Sequence, residues 1–171
     1  NVQVRNKGFT KEDYEAIFKE YFGVTHTIWL KDGIKGDDTH GHIDDLARFV
    51  NEDTIVTVVE NDPKASNYAP LQENLKRLKR SKLENGKSPK IIELPMPHRL
   101  EFDGLELPAS YANFLILNKA VLVPTFNDSR DREALNILSE VFKDREVIPI
   151  NAIDLIWGFG TLHCLSQQIP V

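Results

Sequence analysis

The order helix, strand, loop, strand, turn, strand recurs along this chain, and a recurrence of that length restricts the fold more than any short motif does. Thr10 to Phe22 reads as a helix. Thr10 suits the N-cap, Asp13 takes the capping-box place usually held by Glu, and Tyr14, Ile17, Phe18 and Tyr21 form an apolar stripe. A strand Thr25–Leu30 follows, then a Gly-rich loop, a strand His42–Val50, a turn at 51–53 and a strand Thr54–Glu60. The second pass has helix Ser66–Leu83, strand Lys90–Leu94, loop Pro95–Pro108, strand Ser110–Leu117, a turn at Asn118-Lys119 and strand Ala120–Phe126. A third begins with helix Asp131–Phe142, strand Glu146–Ile150 and a final strand near Leu162–Gln167. The modules lie roughly sixty residues apart, inside the range of repeat architectures.

Val2-Gln3-Val4-Arg5-Asn6 occupies the place of Val58-Val59-Glu60-Asn61-Asp62 and of Thr125-Phe126-Asn127-Asp128, just before a helix. The chain is therefore expected to open at the end of a preceding module. The pattern predicts an α/β (α+β) fold of ββαβ-type modules around a common axis, each giving its middle strand to the centre. Residues 1–171 would be about two and a half modules of one domain. The Lys/Asn/Ser run around Gly86 reads as a helix stop and surface loop, not a boundary.

Composition narrows the function classes. Of 171 residues, 41% are hydrophobic and 27% charged, enough for one sizeable core. The chain starts at Asn1 and its only methionine is Met96, so a lost initiator or a cut from a longer chain is expected. A net charge of −5 argues against nucleic acid as a partner and suits a small cation. No stretch has membrane-spanning length, and no signal-like segment opens the chain. The single cysteine excludes an internal disulfide framework and fits a reducing, cytoplasmic setting.

Polar residues concentrate in Gly36-Asp37-Asp38-Thr39-His40-Gly41-His42-Ile43-Asp44-Asp45. On a strand His42 and Asp44 would face one way and Ile43 and Asp45 the other, making His42 and Asp44 an acid/base pair. A solvated loop with a structural His–Asp bond is the plain alternative. A rival chemistry is zinc: Thr39-His40-Gly41-His42-Ile43-Asp44-Asp45 resembles the T-H-x-H-x-D-H motif of metallo-β-lactamase-like hydrolases. There His40, His42 and Asp44 would be ligands, Asp45 replaces the last His, and His98 and His163 lie downstream. Cys164 follows Gly158-Phe159-Gly160, glycines that allow close backbone approach to a nucleophile; buried core filling between Leu162 and Leu165 is the alternative. On a strand His163 points away from Cys164, which suggests a structural role. Trp29 reads as core, Arg48 as a structural partner of an Asp, and Asn113 as a central polar group or a register hydrogen bond.

The sequence resembles the agmatine deiminase and bacterial-type peptidylarginine deiminase family of guanidine-modifying enzymes. Trp29-Leu30, Asp38 to Phe49, Ser110 to Phe114 and His163-Cys164-Leu165-Ser166-Gln167-Gln168 carry the resemblance, in order, over nearly the whole chain. It implies a pseudo-fivefold α/β propeller of about twice this length, of which this is the C-terminal half. It also implies Cys164 as nucleophile, His42 as general acid/base and Asp44 as a guanidinium-binding carboxylate, with no metal or organic cofactor required; Asn113 is a further candidate for substrate binding. The family's other two acidic site residues, one in a Glu-Gly-Gly segment, have no match here. Gly158-Phe159-Gly160-Thr161-Leu162 departs from the usual Gly-Gly-Gly-Asn-Ile, and His40 stands where many members carry Asp.

The implied reaction is hydrolytic deimination through a Cys thiouronium, with agmatine as the favoured substrate, leading toward putrescine. Peptidyl or free arginine, giving citrulline, is the alternative. A non-catalytic binding module is a third class, disfavoured because Cys, His and Asp occur together. The 171-residue piece alone is expected to be inactive, and to self-associate into a homo-oligomer through an open sheet edge and an apolar face.

Overall fold

A computed structural model describes residues 6–37 and 41–169. Its first element, α1 (Lys11–Phe22), begins as the capping signal requires. The Thr10 hydroxyl accepts from the Asp13 N–H at 3.2 Å, and the Asp13 carboxylate accepts from the Thr10 N–H at 2.8 Å. Gly23, at φ 67°, ends it in the left-handed conformation that glycine takes without strain. None of its residues is buried.

Two units share one topology. In the first, β1 (Ala47–Phe49) pairs antiparallel with β2 (Thr54–Val59); α2 (Tyr68–Arg80) crosses over, and β3 (Lys90–Pro95) returns parallel to β2. A short hairpin follows, β4 (Glu101–Phe102) and β5 (Leu105–Glu106). The second unit repeats the first: β6 (Leu115–Ile116) antiparallel to β7 (Ala120–Thr125), then α3 (Asp131–Val141), then β8 (Glu146–Asn151) parallel to β7. The predicted ββαβ order is thus present twice.

The physical reasons are local. Every residue of β2 is buried, as a strand flanked by a parallel partner and a covering helix should be. On α2 the buried Leu71, Leu75 and Leu78 recur at helical spacing and face the sheet. Each fully buried Leu is worth roughly 1.5–3 kcal/mol. One hydrophobic cluster, including Val56, Val58, Leu94, Phe114, Val121, Val123 and Leu138, runs through both units and fixes them against each other. Among the described residues the sheets are separate, with orders β1-β2-β3, β4-β5 and β6-β7-β8, and none closes on itself. No helix among these residues is long and apolar enough to cross a membrane.

Five sequence expectations need correction. Thr25–Leu30 runs without a ladder partner among the described residues and forms no strand. Side chains anchor the stretch at its ends instead. Thr25 bonds Glu84, the His26 ring meets the Lys82 carbonyl at 2.7 Å, and the Lys31 N–H donates to Asn74 at 2.8 Å. The predicted strand His42–Val50 is a 3-10 turn over Ile43–Asp45 followed by the three residues of β1. Ser110–Leu117 shortens to β6, because Ser110 begins a turn in which its hydroxyl accepts from the Ala112 N–H at 3.1 Å. The final strand is a turn, with the Leu165 N–H donating to the Thr161 carbonyl at 3.1 Å. The loop Pro95–Pro108 holds the β4–β5 hairpin, whose Asp103-Gly104 corner has positive φ at both residues.

Candidate active site

The chemistry-bearing side chains converge from three segments: the 3-10 turn before β1, the turn before β6, and the turn at 161–165. In a 3-10 helix side chains repeat every three residues, so residues two apart no longer share a face. That separates what a strand would have joined. His42 caps the turn and lies beside Asp37, Nδ1 to Oδ1 3.5 Å, while its N–H donates to Asp37 Oδ2 at 2.6 Å. Asp44 points elsewhere, with Oδ2 2.7 Å from His163 Nδ1 and 3.3 Å from Cys164 Sγ. Asp44 therefore pairs with His163 and the thiol, not with His42. His163 and Cys164 reach the same carboxylate because they lie on a tight turn instead of opposite faces of a strand.

Asn113 joins these pieces and is itself buried, 1% exposed. Its Oδ1 accepts from the Thr161 hydroxyl at 2.8 Å and from the His163 N–H at 3.0 Å. The Cys164 N–H lies on the same oxygen at 3.3 Å. That fixes which end of the amide is which. Nδ2 consequently faces Asp45 Oδ1 at 2.8 Å, Cys164 Sγ at 3.0 Å and Asp44 Oδ2 at 3.2 Å. Asn113, which the sequence left as either a central polar group or a register hydrogen bond, is the hub on which the turn at 161–165 is hung. Gly160 permits the approach: a Cβ there would lie 2.7 Å from Cys164 Cβ and 3.1 Å from Sγ. The glycine singled out in sequence is required by contact.

The electrostatics follow from burial and from three neighbouring carboxylates. Burial raises the Asp44 carboxyl, but hydrogen bonds with His163 and Cys164 together outweigh it and leave Asp44 below its ordinary range. Asp45 was expected to face away; it turns inward, 2% exposed, and burial with the adjacent Asp44 charge pushes it up to about 8. Cys164 reaches the surface, yet burial of its sulfur and the charges of Asp44 and Asp45 push the thiol up to about 11, against the opposing hydrogen bond from Asn113. Arg48 lies nearby, with no aspartate as a hydrogen-bond partner among the described residues. Its Nη1 donates to the Ala112 and Phe114 carbonyls at 3.1 and 2.8 Å, and its guanidinium sits 4.8 Å from the Phe114 ring centroid.

The zinc ligand set is not assembled among the described residues. His40 lies outside them, and His98 is held by Asp128 at 2.9 Å. The acidic groups close enough to share an ion are Asp37–His42–Asp45 and Asp44–Asp45–Cys164, and neither includes His98 or His163. Trp29 is half-buried and donates Nε1–H to Glu15 at 2.7 Å, away from these residues. A groove of about 760 Å³ between α1 and β1 includes none of Cys164, Asp44, His42 or Asn113.

Comparison with known proteins places this arrangement in context. The sequence profile of the Porphyromonas-type peptidyl-arginine deiminases matches residues 2–170. A Porphyromonas gingivalis structure is 41% identical with a TM-score of 0.93, the match covering 98% of this chain and 50% of that one. The agmatine deiminase of Enterococcus faecalis is 31% identical with a TM-score of 0.92, over 97% of this chain and 50% of its own. An agmatine deiminase of Pseudomonas fluorescens is 32% identical over 97% of this chain and 50% of its own length. The chain spans about half the length of the curated relatives it matches.

Proposed function

Because the chain belongs to the Porphyromonas-type peptidyl-arginine deiminase family, we propose that, as part of a longer chain, it deiminates a guanidinium substrate with Cys164 as nucleophile. It would be the C-terminal portion of a single catalytic domain, and the two ββαβ units would be blades of a pseudo-fivefold α/β propeller closed by the remainder. The observation that carries the reading is the surface-reaching Cys164 Sγ held 3.3 Å from the Asp44 carboxylate, with Asn113 bonded to both. A planar cation seated on Asp44 would present its carbon to that sulfur.

The raised thiol supports activation by the substrate. With Cys164 at about 11, roughly one thiol in ten thousand is ionised at neutral pH before anything binds. A guanidinium beside Asp44 replaces negative charge with positive, and the thiol proton passes to His42. The thiolate then attacks the guanidinium carbon, forming a C–S bond and a tetrahedral adduct. His42 protonates one nitrogen, the C–N bond breaks, and ammonia leaves a thiouronium. Water that has given its proton to His42 adds to the same carbon; the C–S bond breaks, releasing the ureido product and the Cys164 thiol. Asp37 beside Nδ1 orients the His42 ring for this shuttle.

Agmatine is the substrate we favour, giving N-carbamoylputrescine and ammonia toward polyamine synthesis; peptidyl or free arginine is the alternative. No step draws on a metal or an organic cofactor. The test is product analysis on agmatine, arginine and an arginyl peptide, using the longer chain beside the 171-residue piece. The expected result is N-carbamoylputrescine from the longer chain and no turnover by the piece, which offers one well-placed carboxylate for a cation that needs its charge and several N–H donors met. Comparable turnover by the piece, or none on any guanidinium by the longer chain, contradicts the proposal.

A further inference from the structure

Asp45 has no part in the reaction just described, yet it is the most deeply placed acid at the site. The residue is 2% exposed, and its backbone carbonyl accepts from the buried Ser110 hydroxyl at 2.8 Å, which pins the 3-10 turn against the turn before β6. Oδ1 accepts from Asn113 Nδ2 at 2.8 Å. Oδ2 is the one buried side-chain nitrogen or oxygen among the described residues with no hydrogen-bond partner.

The placement joins two groups that otherwise stand apart. An Asp45 oxygen lies within 4.8 Å of Asp37 and His42 on one side, and within 4.8 Å of Asp44 and Cys164 on the other. The charged and titratable groups facing it are Asp37 and His42 from the loop, Asp44 from its own turn, Arg48 from β1, and Cys164 with His163 from the turn at 161–165. Arg48 directs Nη1 to two backbone carbonyls, so no cation bonds this carboxyl through that nitrogen. A third buried carboxylate against Asp37 and Asp44, with no cation hydrogen-bonded to it among the described residues, is the arrangement that retains a proton. The hydrogen bonds agree: Oδ1 accepts from Asn113 as a carbonyl oxygen does, and Oδ2, which accepts from nothing among the described residues, is the oxygen left to carry the proton.

We propose that Asp45 is a positioning residue for the proposed deimination: as a neutral carboxylic acid it fixes the Asn113 amide, and Asn113 aims Cys164. The amide has two hydrogens and three acceptors within reach, so its donor direction depends on which neighbours carry negative charge. A neutral Asp45 takes one hydrogen without competing as an anion, leaving the other for Cys164 Sγ. An ionised Asp45 would pull the amide toward itself and add a second negative charge beside the sulfur. Burial and the neighbouring carboxylates, which hold this acid up to about 8, agree with that state at neutral pH.

This inference rests on the deiminase reading, and the experiment separates the two. In the longer chain, kcat for ureido product is measured against pH for wild type, Asp45→Asn and Asp45→Ala. Asn mimics the neutral acid, so Asp45→Asn should keep kcat within about tenfold of wild type, whereas Asp45→Ala should fall about 100-fold as Cys164 loses its aim. The wild-type profile should lose activity on an alkaline limb near the Asp45 transition, and Asp45→Asn should lack that limb. Equal collapse of both variants, or an undiminished Asp45→Ala, overturns the assignment. Should the variants fail to fold, the infrared spectrum of the wild type still decides: a carboxylic-acid carbonyl band at pH 7 supports it, and its absence overturns it. A wild type that forms no ureido product from any guanidinium, with that band present, overturns the deiminase reading alone.

Discussion

Cys164 is held in a charge state that a nucleophile cannot use unaided. Burial is the strongest influence on the sulfur and favours the neutral thiol; Asp44 and Asp45 add to it, and only the Asn113 hydrogen bond opposes them. Alkylation of the longer chain by a neutral haloacetamide should therefore rise about tenfold per pH unit from 7 toward about 11. A cationic haloamidine should react much faster at pH 7, because it brings positive charge to Asp44. A plateau for the neutral reagent below pH 9, or equal rates for the two reagents at pH 7, would contradict substrate-driven activation. The sequence made Cys164, Asp44 and Asn113 visible, since a lone cysteine after glycines and a polar residue inside an apolar run are conspicuous. It hid their pairing. Asp44 to His163 and Asp45 to Asn113 are contacts between turns far apart in the chain, and no spacing rule reports them.

The elements divide along the same line. Helices and parallel strands were legible because α2 and α3 repeat apolar residues at helical spacing and β2 is a continuous buried run. The 3-10 turn at Ile43–Asp45 was not legible, because Ile43, Leu46, Ala47 and Phe49 suit a half-buried strand equally well. Side-chain bonds decided it, chiefly Ser110 to the Asp45 carbonyl. The Asp103-Gly104 corner carried a hairpin signal that a reading of the loop as irregular passed over. Phe159 ends the second 3-10 helix (Leu155–Gly158) at φ 60°, a conformation strained for a bulky residue, and leads directly into Gly160. Gly160 is the element's tightest point. Gly160→Ala should push Cys164 out of line, lowering kcat about 100-fold while costing about 1–3 kcal/mol of stability. Gly158→Ala meets nothing within 4 Å and should change stability by less than about 0.5 kcal/mol. Matched activity and melting temperature in the two variants would show that backbone approach at 160 does not set the thiol's place.

The two units bury their helices, but α1 buries none of its residues, and the extended stretch after it has no ladder partner among the described residues. Tyr21 and Phe22, each 73% exposed, and Val24 lie on that open side, and the apolar groove between α1 and β1 runs beside them. In the pattern of the other two units, a helix followed by a strand covers a pair of strands that precede it. Two preceding strands from a longer chain would cover α1, satisfy Thr25–Leu30 and bring the carboxylates this chain does not offer. The closure itself belongs to the proposed propeller. The proposed deimination turns on a covalent step at one sulfur. The deciding measurement is the longer chain and its Cys164→Ala variant incubated with agmatine and, separately, with a haloamidine, followed by product analysis and intact mass. Wild type should release equal amounts of ureido product and ammonia and take up one reagent adduct; Cys164→Ala should do neither. Continued turnover or stoichiometric labelling of Cys164→Ala would place the nucleophile elsewhere.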